Sequence, residues 1–339
     1  MTGAILAAGD HFMLPELLTE ALRAELGADA AIRELRLPWP LEPFGRVGDV
    51  DEASDAEEAM LAALDGVEAA VTQMGPFTRK VLENAPALRL VAVGRGGPVN
   101  VNVDAATELG IRVCYAPGRN ATATAEYTVG MLLAALRRIP VTHAALRERQ
   151  EWAGEHYTYA NTGLEIEGST VALIGYGAVG SRVAGILAAF GAELLVFDPY
   201  ATGEVIGERV ATLEEALTRA RIVTLHARLT AETRGLLGAR ELGLLPPGSV
   251  LVNVARGQLV DQDALCDALD SGHLMAAALD TFAEEPPPPG SRLFAVPNLV
   301  MTPHLGGASR AVAEKAARIV AAEVGRHFRG ERLAHCLNA

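Results

Sequence analysis

Residues 171–191 read VALIGYGAVGSRVAGILAAFG. A short apolar run ends in Gly175-x-Gly177-x-x-Gly180, and an amphipathic helical pattern begins at once. Glycine at the first position permits the tight turn out of a strand. Glycine at the second lets a pyrophosphate approach the backbone, and glycine at the third lets the helix pack close to the strand. The bare spacing is a weak signal, but its context is specific. The next apolar run, AELLVFD (192–198), ends on Asp198, 18 residues beyond Gly180. A carboxylate there accepts hydrogen bonds from an adenosine ribose and repels a 2′-phosphate, and neither Pro199 nor Tyr200 offers a compensating positive charge. The plainer alternative is that Asp198 only caps a turn. The pattern predicts a βαβ unit that binds a dinucleotide, NAD and not NADP.

The same rhythm runs through most of the chain. Strand patterns at AILAAG (4–9), AIRELRL (31–37), VEAAVT (67–72), LRLVAVG (88–94) and IRVCYAP (111–117) alternate with helical ones such as PELLTEALRAEL (15–26). A long helical pattern covers about 121–139. The alternation restarts at STVALIG (169–175) and continues through RIVTLH (221–226), SVLVNV (249–254), LMAAALD (274–280) and NLVMT (298–302), before a last helix over about 308–329. Strands that alternate with helices give parallel sheets covered on both faces. With 339 residues, two doubly wound α/β units are expected. Pattern alone does not say which of them the last helix joins.

Composition narrows the function classes. The net charge of −13 argues against a nucleic-acid or anionic-membrane surface, though not against a small anion held by local arginines. Three cysteines, Cys114, Cys266 and Cys336, are far apart and form no CxxC pair, which argues against a disulfide framework or a zinc site and fits a reducing cytoplasm. The N-terminal run lacks a basic leader and reads as a first strand, and no apolar run reaches membrane-spanning length. No metal site is expected.

Polar residues at strand ends carry the chemistry. LVNVARGQLVDQDAL (251–265) ends its strand on Ala255-Arg256-Gly257, where an arginine suits a planar carboxylate. ALDTFAEEPPPPG (278–290) ends at Asp280 and carries Glu284 and Glu285 into four prolines; such a run is more often a solvated, proline-stiffened loop. MTPHLGG (301–307) holds His304, and a lone histidine is more often structural than catalytic. Strand ends of one parallel sheet converge on one crevice, however, so Arg, Glu and His beside a dinucleotide point to a reaction site.

These stretches, together with ATATAEYTVGMLLAALRRI, VFDPY and HARLTAETRGLLG, resemble the D-isomer-specific 2-hydroxyacid dehydrogenases over most of residues 90–310, in order and spacing. The family includes phosphoglycerate dehydrogenase, glycerate dehydrogenase (hydroxypyruvate reductase) and D-lactate dehydrogenase. The resemblance implies a Rossmann NAD-binding domain, 121–304, inserted into a flavodoxin-like substrate-binding domain, 1–120 with 305–339. It implies a homodimer joined largely through about 121–165. By position it makes Arg256, Glu285 and His304 catalytic and leaves Glu284 a bystander. Besides the three glycines and Asp198, it assigns Ala178, Val179, His226, Ala227, Val254, Ala255, Asp280 and Gly306 to the cofactor. The loop Gly94–Asn100, with Arg95, Gly96, Gly97 and Asn100, is assigned with Arg256 to the substrate. The implied reaction is reduction of a 2-oxo acid to the D-2-hydroxy acid, and its reverse.

The chain also departs from the family text. Arg228 stands where relatives commonly have proline, and Val99-Asn100-Val101 replaces a more usual Gly-Val-Asp. Asn100 either meets substrate or only caps its loop. Arg95 matches a basic residue of phosphoglycerate-type members, whereas VTQMGPF (71–77) offers Thr72 and Gln73 but no arginine for a phosphate. A hydroxypyruvate-, glyoxylate- or glycerate-like substrate is therefore the expectation and D-3-phosphoglycerate the alternative. NAD(H)-sensing corepressors, which can keep the catalytic residues, form a non-enzymatic alternative by analogy of fold.

Overall fold

The computed structural model describes residues 3–39 and 45–338. The chain divides into two compact units, one of Met1–Arg119 with Ala308–Ala339 and one of Asn120–Gly307.

The first unit holds five parallel strands, β1 (Ala4–Gly9), β2 (Ile32–Arg36), β3 (Val67–Thr72), β4 (Leu90–Val93) and β5 (Arg112–Tyr115), in the order β2-β1-β3-β4-β5. This is the flavodoxin-like order. The inner strands β1, β3 and β4 are almost wholly buried, which is why their sequences read as continuous apolar runs and not as alternation. Met60, Phe77, Val81, Leu82 and Leu88 cover one face. Leu18 and Leu22, from the helix Pro15–Leu26, cover the other with Ala313, Ala316, Ala317, Val320 and Val324, from the helix Arg310–Phe328. Small alanines spaced three and four apart place that last helix close on the sheet, so it belongs to this unit. Beyond it, residues 335–337 run antiparallel to the edge strand β5: the Tyr115 N–H donates to the His335 carbonyl (3.2 Å) and the Leu337 N–H to the Val113 carbonyl (2.8 Å). The edge is thereby covered.

The second unit holds seven parallel strands, β6 (Thr170–Ile174), β7 (Glu193–Phe197), β8 (Glu208–Arg209), β9 (Ile222–Leu225), β10 (Ser249–Asn253), β11 (Leu274–Leu279) and β12 (Leu299–Met301), in the order β12-β11-β10-β9-β6-β7-β8. Strand order reverses between β6 and β9, where open α/β sheets bind ligands. The two-residue β8 is exposed and too short to show a period, so the sequence does not announce it. The helix expected over 121–139 ends at Leu136 instead. Arg138 turns into the left-handed region (φ 53°) and Pro140, which has no N–H to continue the ladder, starts a second helix, Ile139–Arg149, bent 66° from the first. Among the described residues no single helix is long and apolar enough to cross a membrane.

Candidate active site

The glycine turn lies between β6 and β9. Gly175 has φ 101°, and a Cβ there would lie 2.6 Å from the His226 carbonyl carbon and 2.7 Å from the Ala227 nitrogen, so the first glycine is fixed by conformation and by space. A Cβ on Gly180 would overlap the Gly175 carbonyl oxygen, which fits the close helix–strand approach. Around Gly177 a Cβ meets nothing within 4 Å. The protein thus leaves open the position where a pyrophosphate would approach. Ala178 is exposed and its carbonyl accepts from Arg182 (2.6 Å); Val179 precedes the helix Gly180–Ala189 and packs on the core. Asp198 fastens the turn as well: its Oδ2 accepts the Tyr176 N–H (2.6 Å) and its Oδ1 the Tyr200 N–H (2.8 Å). A carboxylate has about four acceptor sites, so capping the turn and holding ribose hydroxyls are compatible. His226 bonds Thr224 Oγ1 through Nε2 (3.1 Å), and burial pulls its pKa down to about 4, which keeps it neutral beside the turn. These residues fit an NAD pyrophosphate and ribose.

At the end of β10 the side chain of Asn253, wholly buried, accepts the Ala255 N–H (3.0 Å) and donates to the Arg256 carbonyl (2.8 Å). It locks the turn that presents Arg256. The guanidinium is exposed and donates to the Ala255 carbonyl (2.7 Å); among the described residues no salt bridge claims it. Gly257 passes against the strand-end backbone after β11, where a Cβ would overlap Phe282. The strand therefore ends Arg-Gly because the residue after the arginine has no room for a side chain. Val254, also buried, lies beneath this turn, within reach of a Cβ on Gly306.

Phe282 leads to the next group. Its N–H donates to Glu285 Oε1 (2.9 Å), and Glu285 Oε2 meets His304 Nδ1 at 2.7 Å. Glu284 makes no such contact among the described residues and is exposed. Donating a hydrogen bond to Glu285 raises the pKa of His304 above its ordinary value; burial and the nearby charge of Arg256 oppose this, while the charge of Glu285 reinforces it. Burial opposes ionisation of Glu285, but the bonds from His304 and Phe282 and the charges of His304 and Arg256 outweigh it, so its pKa lies below the ordinary value. Arg256, Glu285 and His304 thus stand in one electrostatic neighbourhood.

His304 has φ 55°, a conformation that non-glycine residues seldom adopt. Asp280 holds it there. The Asp280 carbonyl accepts the His304 N–H (2.8 Å), Oδ1 accepts Thr302 Oγ1 (2.6 Å) and the Leu305 N–H (2.8 Å), and Oδ2 accepts the Gly306 N–H (2.7 Å). Asp280 is wholly buried. The sequence assigns it to the cofactor but does not reveal this clamp on the histidine turn. Thr302 and Asn253 were likewise missed; a polar residue closing an apolar strand was the available signal for each.

In the first unit, Gly94 ends β4 and Arg95 follows, half-buried, paired with Glu52 and donating to the Glu52 carbonyl (3.2 Å). Gly96 is exposed and Gly97 half-buried. Asn100, anticipated as a substrate contact, is wholly buried and donates to the Gly75 carbonyl (2.8 Å); with no exposed atom to offer, it fastens its loop instead. Arg119, absent from the sequence expectations, follows β5, donates to Gln73 Oε1 (3.3 Å) and lies over the Phe12 ring. Burial and the neighbouring Arg95 bring its pKa down to about 10.

The family model described as the D-isomer specific 2-hydroxyacid dehydrogenase, NAD binding domain, matches residues 129–306. The D-3-phosphoglycerate dehydrogenase of Methanocaldococcus jannaschii is 36% identical over 86% of this chain and 56% of its own length. That of Mycobacterium tuberculosis is 39% identical over 83% of this chain and 53% of its own. The chain spans about half the length of these curated relatives. Among solved structures, the TT0316 protein from Thermus thermophilus superposes with a TM-score of 0.80 at 30% identity, over 98% of this chain and 99% of that one.

Proposed function

Since the chain belongs to the D-isomer specific 2-hydroxyacid dehydrogenase family and carries its NAD-binding domain, we propose that it reduces a 2-oxo acid to the D-2-hydroxy acid, and catalyses the reverse. The observation that carries the reading is the 2.7 Å contact of His304 with Glu285, beside an exposed Arg256, at the strand ends that also hold the glycine turn. The Gly175–Gly180 turn and Asp198 hold NAD, which supplies or accepts the hydride at C2 of the substrate. Arg256 binds the carboxylate and orients the carbonyl with two parallel donors. His304, kept protonated by Glu285, gives a proton to the carbonyl oxygen as it gains charge; in oxidation the neutral ring takes that proton back. Asn253 and Asp280 hold Arg256 and His304 in place.

The first unit is the substrate-binding domain in this reading, and Arg95 and the Gly96-Gly97 backbone are its proposed substrate residues. Hydroxypyruvate or glyoxylate is the expected oxo acid. Phosphohydroxypyruvate is the second, favoured by the names of the relatives and by the paired cations Arg95 and Arg119. The side chains of Ile139, Leu146, Trp152, Tyr157 and Tyr159 are exposed in a single chain, the last three to 88%, 91% and 99%, which supports a homodimer through about 121–165. A cytoplasmic place belongs to the same reading.

A panel of glyoxylate, hydroxypyruvate, pyruvate and phosphohydroxypyruvate, followed by NADH oxidation, tests it. Turnover that His304→Ala abolishes, with NADH binding kept, is expected. NADH binding without turnover of any oxo acid would replace the enzyme by an NAD(H)-responsive binding protein.

A further inference from the structure

Sequence distance separates Cys114 and Cys336 by 222 positions, yet they face one another as partners of an antiparallel bridge between β5 and the segment after the last helix. The flanking bonds, Leu337 N–H to Val113 carbonyl and Tyr115 N–H to His335 carbonyl, enclose the cysteine pair without a bond between the cysteines' own backbones. That is the non-hydrogen-bonded register, in which Cα atoms are about 4.5 Å apart and the side chains approach most closely. Disulfides span Cα separations of roughly 4.4–6.8 Å. Both residues are free thiols, and the Cys336 S–H donates to Asn338 Oδ1 (3.7 Å). Cys114 is wholly buried, with Sγ 3.7 Å from Glu323 Oε2, while Cys336 is half-buried. Glu323 also accepts the Ala334 N–H (2.9 Å), so the carboxylate beside the thiol is the one that anchors the segment.

We propose that Cys114 and Cys336 are a redox-active pair that a hydroperoxide converts to an intramolecular disulfide, fastening residues 333–338 to β5. The accessible partner reacts first. The Cys336 thiolate attacks hydrogen peroxide; an S–O bond forms, the O–O bond breaks and hydroxide leaves, taking up the proton Cys336 had lost. The Cys114 sulfur then attacks the Cys336 sulfenic sulfur; the S–S bond forms, the S–O bond breaks, and the Cys114 proton passes through Glu323 to the departing hydroxide. Two thiols lose two electrons and two protons, and one peroxide becomes two waters. Burial, then the charges of Cys336 and Glu323, hold the Cys114 thiol far above its ordinary pKa. The second step is therefore slow, and the pair records sustained oxidant and not a brief pulse.

The test uses the full chain, reduced, desalted, treated with hydrogen peroxide, alkylated in denaturant and digested without reduction. The expected product is one linked peptide pair joining Cys114 to Cys336, two hydrogens lighter than the separate peptides and released by dithiothreitol, with Cys266 alkylated. The oxidised chain should melt higher, by on the order of 5–10 °C, and Cys336→Ser should show neither link nor rise. Oxidation of Cys336 to a sulfinic acid or an intermolecular disulfide while Cys114 remains alkylatable would overturn the proposal, as would a linked chain that melts no higher than the reduced one.

Discussion

Two glycines of one turn should fail in different ways. In Gly175→Ala the new methyl carbon would lie 2.6 Å from the His226 carbonyl carbon, 2.7 Å from the Ala227 nitrogen and 2.8 Å from the His226 oxygen. Unstrained contacts of this kind need about 3.5 Å. The ends of β6 and β9 must separate by close to ~1 Å, and all three atoms are backbone, so no side chain can yield instead. Overpacking of this kind costs about 1–3 kcal/mol, and an alanine held at the φ of Gly175 costs roughly 1–3 kcal/mol more. The melting temperature should fall by roughly 5–20 °C, and NADH binding should weaken with it because the phosphate-facing turn moves. Gly177→Ala differs: its methyl meets nothing within 4 Å and Gly177 is exposed, so stability should stay within about 0.5 kcal/mol of wild type. The same methyl would occupy the approach of the pyrophosphate. Loss of one charge-assisted bond, about 1.5–3 kcal/mol, weakens NADH binding by roughly 10- to 150-fold. Titration of NADH fluorescence and thermal melts of both variants read the two effects separately. If Gly177→Ala binds NADH within about twofold of wild type, the pyrophosphate does not pass there and the assignment of the turn fails.

Asp198 should impose at least about tenfold discrimination, ~1.4 kcal/mol, for NADH over NADPH in kcat/KM, and equal efficiency would sink its role. Arg256→Lys keeps the charge but loses the two parallel donors, so KM for the oxo acid should rise while the NADH Kd holds; an unchanged KM would place the carboxylate elsewhere. Reduction needs the His304 imidazolium, so it should fail as pH rises through the raised pKa, and Glu285→Gln should make it fail at lower pH; oxidation needs the neutral ring, so its acid limb should also move lower. Superimposable profiles would remove Glu285 from the pair. Linkage gives a stability signature as well. The His304 contribution is full below about pH 6.5 and is lost as pH rises through the raised pKa. The Glu285 contribution is present above its ordinary pKa and is lost as pH falls through the lowered one. Glu285→Gln should flatten both limbs of melting temperature against pH, and a curve parallel to wild type would count against the coupling.

Local pattern revealed the parts whose cause is local. The glycine turn and Asp198 were legible because a strand, a tight turn and a helix N-terminus each leave their own sequence mark. Arg256 and His304 stood out as polar residues closing apolar runs, and the helix Pro15–Leu26 was found with its bounds because proline marks its start and glycine its end. What depended on residues distant in sequence was not legible. Nothing in the text near Asp280 says that its carboxylate is spent on Thr302, Leu305 and Gly306. The burial of Asn100 follows from Gly75 reaching across to it. The proximity of Cys114 and Cys336 depends on the last helix packing where it does, which the helical period alone left open. The break at Arg138 was not legible for a different reason: the helical pattern runs across it to Ile139, and the left-handed turn there leaves no mark in the sequence.

The unit that carries β1–β5 is interrupted by 188 residues, from Asn120 to Gly307. During synthesis at roughly 5–20 residues per second, those residues occupy the ribosome for about 10–40 s before the helix Arg310–Phe328 exists. For that interval the sheet face bearing Ile5, Ala69, Val71, Leu90 and Ala92 lacks part of its natural cover, whereas the contiguous second unit can complete its own core as it emerges. The order of folding is thus opposite to the order of the chain, and the first-made segment is the one exposed longest to misassociation. Holdase binding to nascent chains should peak after residue 119 has emerged and fall once residue 328 has done so; a flat profile would mean that the first 119 residues shield that face without the last helix.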